Sequence, residues 1–116
     1  MERNKLKKVF KYKLVMGDIA FAKLPIGARV LKIEEQCDSV NEASALYVWA
    51  LVDDTITETE FRKFRIAGTG HDILLEGKLK ELELIFLDTI ITSRDKFVWH
   101  IFEIVPESDN TLQFPD

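Results

Sequence analysis

Short runs in which apolar and polar residues alternate, cut by turn residues, narrow the possible folds of this chain more than any other feature. Successive side chains of an extended strand point to opposite faces, so a period of two marks a strand with one buried side. In the run 9–14, Phe10, Tyr12 and Leu14 fall on one face and Lys11 and Lys13 on the other. In the run 60–66, Phe64 and Ile66 share a face while Lys63 and Arg65 occupy the opposite one. Gly17-Asp18, Pro25-Ile26-Gly27 and Asp53-Asp54 carry the residue types that turn a chain. Strands at 21–24 and 28–35 between these turns make the first third of the chain a meander.

The run 46–52 (Leu-Tyr-Val-Trp-Ala-Leu-Val) is apolar throughout, rich in aromatic and β-branched residues, and short for a helix. It reads as a central strand buried on both faces. The polar stretch 38–45 before it is a long hairpin connection. Two further apolar runs, 84–92 and 97–105, flank Ser93, Arg94, Asp95 and Lys96 and form a hairpin. Between them and the 60–66 strand, residues 73–82 read either as a short helix interrupted by Gly77 or as an irregular excursion. The expected fold is mainly β: a small antiparallel β-sandwich or partly open barrel of six to seven strands, with room for one short helix. The 116 residues, 47% of them apolar, suit one domain over 1–105 followed by an acidic tail over 106–116. The run 97–104 is apolar on both alternating faces. It calls for a curled barrel with a helix or loop packed over it, or for a self-association surface, hence the expectation of a homo-oligomer.

Charge and cysteine content set the expected surroundings. A net charge of −4 argues against counterion-driven binding to nucleic acid. The single cysteine, Cys37, has no disulfide partner within the chain, and with two histidines it makes no structural zinc set. Its carboxylate neighbours Glu34, Glu35 and Asp38 disfavour the thiolate. No stretch has the apolar length of a signal peptide or a membrane span, so a cytoplasmic setting is expected. The basic cluster Arg3, Lys5, Lys7, Lys8, Lys11 and Lys13 reads as a solvated strand face that guards a sheet edge.

Gly68, Thr69, Gly70 and His71 form the one loop whose composition suits a ligand. Two glycines in three positions let backbone N–H groups converge on an anion, and Arg62 or Arg65 would supply charge. The same residues equally make a tight turn. They lack the lysine and spacing of a phosphate-binding loop, so no nucleotide motif is present. His71 and His100, with Asp72, Asp88 and Glu103, would form a metal or acid–base site only if the fold gathered them. His100 shares a strand face with Val98 and Phe102, and reads as a buried structural histidine. Trp49 and Trp99 read as core residues. No cofactor, metal site or catalytic set is expected from these patterns.

Three segments, Val48-Trp49-Ala50-Leu51-Val52-Asp53, Arg62 through His71, and Val98-Trp99-His100-Ile101-Phe102-Glu103, occur in an order that resembles a small family of unknown function encoded mainly by phages and prophages. The openings Val9-Phe10-Lys11-Tyr12-Lys13-Leu14 and Leu24-Pro25-Ile26-Gly27-Ala28 are similar to its N-terminal part. The chain departs from that pattern in the length of 38–45, at Asp72 where proline is usual, and in the lengthened stretch 73–82. The resemblance implies a setting and no chemistry. It leads to the expectation of a phage-derived accessory protein that binds a host or viral macromolecule, in counter-defence for example, without catalysis. The alternative is an oligomer that sequesters a small phosphorylated or nucleotide-like ligand through Gly68 to His71 with Arg62 or Arg65.

Overall fold

The fold was established from a computed structural model, which describes residues 6–17, 19–36, 45–73, 84–92 and 96–105. Seven strands form two antiparallel sheets, and no helix occurs among the described residues: β1 (Lys8–Lys13), β2 (Ala20–Pro25), β3 (Arg29–Gln36), β4 (Ala45–Val52), β5 (Thr59–Gly68), β6 (Leu84–Ile91) and β7 (Val98–Ile104). Sheet A has the order β1-β4-β3 and sheet B the order β2-β5-β7-β6. Neither sheet closes into a barrel, so the architecture is a small β-sandwich. The connection 38–44, the stretch 74–82 with its choice between helix and excursion, loop residues 93–95, Cys37 and the tail 106–116 lie outside the described residues.

Strand alternation decides what the interior contains. Leu46, Val48, Ala50 and Val52 of β4 and Ile33 of β3 face inward from sheet A. Ala20, Ala22 and Leu24 of β2, Phe64 and Ile66 of β5, Ile101 of β7 and Ile90 of β6 face them from sheet B, and all join one buried cluster. At about 1.5–3 kcal/mol for each large side chain withdrawn from water, this layer dominates the favourable energy of folding. The alanines of β2 leave room for Phe64, which is 0% exposed and the largest fully buried side chain.

The first third of the chain is not a meander. β1 and β3 both pair with β4, whereas β2 lies in the other sheet beside β5. The physical reason is β4 itself: a strand apolar on both faces is best covered at the centre of a sheet, with β1 and β3 along its two hydrogen-bonding edges, which leaves β2 to the other sheet. The chain crosses between sheets before and after β2. An isolated bridge, Val15 with Phe21, shapes the first crossing. A turn with Ala28 N–H donating to Pro25 C=O (3.1 Å) and Gly27 at φ +84° shapes the second.

The edges are defended unequally. β1 places Lys8, Lys11 and Lys13 along one edge of sheet A, with Lys11 and Lys13 on the outer face as their alternation implied. β3 adds Arg29, Lys32, Glu34 and Glu35 along the other, with a bulge at Leu31. β2 ends in Pro25. β6 has a bulge at Leu87 but neither lysine nor proline. Where β3 and β6 meet across the sandwich, Lys32 Nζ lies 3.5 Å from Asp88 Oδ2 and bridges the two sheets.

Phe64→Ala is expected to lower the unfolding free energy by about 3–5 kcal/mol. Phe61→Ser, three residues earlier on the outer face, should change it by no more than about 0.5 kcal/mol. Urea denaturation of the two variants checks this, and equal losses would contradict the assignment of faces.

Candidate functional site

The arginines of β5 point to opposite sides of sheet B. Arg62 alternates with Phe64 and so faces inward, where its guanidinium meets Glu103 of β7 side by side: Nε donates to Oε2 at 2.5 Å and Nη2 to Oε1 at 3.2 Å. Nη1 donates to the carbonyl of Ala28 at 2.7 Å and lies 3.5 Å from Glu60 Oε2, which accepts the N–H of Gly27. The pairing with Glu103 raises the guanidinium pKa further, against the opposing effect of burial. This forked pair, mostly shielded from water, fastens β5 to β7 and to the β2–β3 turn. It floors a cleft of 550 Å³ walled by Phe61, Ile85, Ile104 and Val105.

Arg65 faces outward. Its Nε donates to the carbonyl of Ile73 (2.9 Å), Nη2 to that of Asp72 (2.6 Å) and Nη1 to that of Ile66 (3.2 Å). These bonds hold the segment after the turn that ends β5 down against the sheet. Gly68, Thr69, Gly70 and His71 themselves form a β-turn, with His71 N–H donating to Gly68 C=O at 3.0 Å. Gly70 takes φ +87°, a value that glycine adopts without strain. The imidazole of His71 folds back over Gly68, so a Cβ there would meet its Cε1 and Nδ1 at 2.9 Å. Arg62 therefore lies apart from the turn, six residues from its start and on the other face of the sheet. Arg65 sits beside the turn with its donors directed at chain carbonyls.

His100 is half-buried and stands on the outer face of sheet B, not in the core: the inward residues of β7 are Trp99, Ile101 and Glu103. Thr69 Oγ1 lies 2.8 Å from its Nε2 and Thr89 Oγ1 3.1 Å from its Nδ1. A hydroxyl donates or accepts by rotation, so the two threonines satisfy either neutral tautomer. Among the described residues no three of the His, Cys, Asp and Glu side chains gather in a way that could hold a metal ion. Trp99 packs against the core as expected. Trp49 does not: it lies on the outer face of sheet A between Lys11 and Lys32, edge to face with Tyr47.

Sequence reading overlooked the outer face of sheet B. Phe21 and Lys23 of β2, Phe61, Lys63 and Arg65 of β5, Phe102 and Ile104 of β7, and Phe86 and Ile91 of β6 all project from it. Phe21 packs edge to face with Phe61 (centroids 5.5 Å apart) and Phe86 with Phe102 (5.6 Å). Phe61, Phe86 and Ile91 are 60%, 56% and 65% exposed. The signal was available: Phe61 has the parity of Lys63 and Arg65 and so lies among the charged residues. The parity of Arg62 with Phe64 likewise marked an inward charge that requires a partner.

A family model described as Domain of unknown function (DUF7352) matches residues 6–111. The chain belongs to this family. The match spans all seven strands. No curated protein and no solved structure matches the chain. No helix among the described residues is long and apolar enough to cross a membrane.

Two outcomes test these assignments. Arg62→Met or Glu103→Leu alone strands a shielded charge and should cost about 2–3 kcal/mol, whereas the double variant should recover most of that loss. A double-mutant cycle by chemical denaturation measures the coupling, and additive losses would refute it. In the turn, Gly70→Ala should cost about 1–2 kcal/mol because of its positive φ. Gly68→Ala should cost less, since the exposed His71 ring can swing away; thermal melts of both variants rank them.

Proposed function

We propose that the protein is a non-catalytic binding module that docks a protein partner on the outer face of sheet B. The observation that carries this reading is the set of large apolar side chains left in water there. Phe61 and Phe86 are more than half exposed on one side of one sheet, Phe21, Phe102 and Ile104 continue the surface between them, and Ile91, also more than half exposed, lies beyond the Thr89–His100 pair. Scattered exposed apolar residues are ordinary, but a contiguous group marks an interaction surface. Aromatic side chains in particular supply large contact areas at low cost in conformational entropy.

The ionic groups support a structural role for the remaining candidates. Arg62 is committed to Glu103 and Ala28, Arg65 to the backbone of the turn segment, and His100 to two threonines. A phage or prophage setting is supported by the resemblance of the quoted segments, and it makes a host or viral protein the natural partner, in counter-defence for example.

A photo-crosslinking residue placed at position 86, and separately at exposed Leu31 on sheet A, tests the reading in a bacterial host lysate. Position 86 is expected to give an adduct with one protein species that position 31 does not give, and Phe61→Ser should abolish it. Equal adducts from both positions, or none from position 86, would overturn the proposal.

A further inference from the structure

Three cations accompany the phenylalanines on the outer face of sheet B, and no strand position on that face carries a carboxylate. Lys23 sits beside Phe61, with its ammonium 5.8 Å from the ring centroid. Lys63 lies in a row between Phe21 and Ile104, and Arg65 in a row with Phe102 and Phe86. The chain as a whole carries a net charge of −4, so this face runs against the sign of the molecule. We infer that its occupant is an acidic amphipathic segment of a partner protein, with apolar side chains against the phenylalanines and carboxylates toward Lys23 and Lys63. The inference rests on the binding reading above and specifies its chemistry.

Each alternative occupant fails on a feature of the same face. A second copy docked face to face about a two-fold axis would bring Lys23, Lys63 and Arg65 of both copies into one interface, with no strand carboxylate from either to offset the repulsion. A nucleic-acid backbone draws its affinity from about 6–10 neutralised phosphates, more than three cations among apolar residues provide. A bilayer takes up apolar residues gathered on a helix face or a protruding tip, whereas these are spread over four strands, and burying them would carry sheet edges into the lipid. A protein segment meets both demands at once, because carboxylates and apolar groups alternate along one chain. The 550 Å³ cleft shares Phe61 and Ile104 with this face, so an apolar anchor residue of the partner can enter it beside the docked segment.

The test uses the full chain and two fluorescein-labelled 18-residue amphipathic peptides, identical on a leucine and phenylalanine face and carrying glutamate or lysine elsewhere. Anisotropy titrations are expected to give at least tenfold tighter binding of the glutamate peptide. Lys23→Glu with Lys63→Glu should reverse that preference. Phe61→Ser should abolish binding of both peptides, with Phe86→Ser as a second variant should the first fail to fold. Equal binding of both peptides that is lost in the phenylalanine variants would overturn the acidic assignment and leave the docking face standing. Binding that is unaffected by either phenylalanine variant would overturn both. Tighter binding of a single-stranded oligonucleotide or of phosphatidylglycerol vesicles than of the glutamate peptide, or a dimer that Phe61→Ser dissociates, would overturn the inference in favour of that occupant.

Discussion

Phe64, Ile33, Val48 and Ile101 meet in a water-free cluster where the two sheets face each other, and the placement of every other element follows from keeping that cluster closed. Neither sheet can be stable alone, since each has an apolar face that must be covered. β4 is apolar on both sides and takes the centre of sheet A. β2, with alanine at alternate positions, supplies the thin wall against which Phe64 fits. Crossing the chain between sheets around β2 is the topological consequence, and the Arg62–Glu103 pair with its bond to Ala28 fixes the corner where the chain returns.

A two-layer sandwich leaves two outer faces, and the two sheets treat theirs differently. On sheet A the ammonium of Lys11 lies 4.5 Å from the Tyr47 ring centroid and donates to Gln36 Oε1. Only 6% of Tyr47 is exposed. On sheet B the Lys23 ammonium lies farther from its ring, 5.8 Å from the Phe61 centroid, and Arg65 bends away to hold the turn segment. The same residue types therefore leave Tyr47 6% exposed on one side and Phe61 60% exposed on the other.

Much of this was legible from the alternation of residues, and the failures are instructive. Strand positions, the inward phenylalanine of β5, the outward lysines of β1 and the hairpin of β6 and β7 follow from local sequence because burial of one face imposes a local period. Pairing does not. Which strand lies beside β2 depends on which partner completes the core, and no local pattern encodes it, so the first third looked like a meander. His100 was placed inward for a related reason: β7 is apolar on both sides, and parity alone cannot say which side is inside. The turn at Gly68 to His71 was recognised as a turn, but whether Arg62 or Arg65 reached it turned on strand parity, which sends the two side chains to opposite faces.

Net charge is an average, and a β-sandwich does not present averages to its partners. A strand's period of two separates its residues onto two surfaces, so a chain of net charge −4 can carry a face with cations and no strand carboxylate. Excluding nucleic acid on net charge alone is thus a weak argument for this architecture. The stronger argument counts the cations on one face and weighs them against the apolar area between them. By that measure the outer face of sheet B is chiefly an apolar surface, with Phe61, Phe86 and Ile91 exposed, and its charges select among apolar partners. Burial of the rings supplies the affinity, while Lys23 and Lys63 set the sign of what can be buried against them.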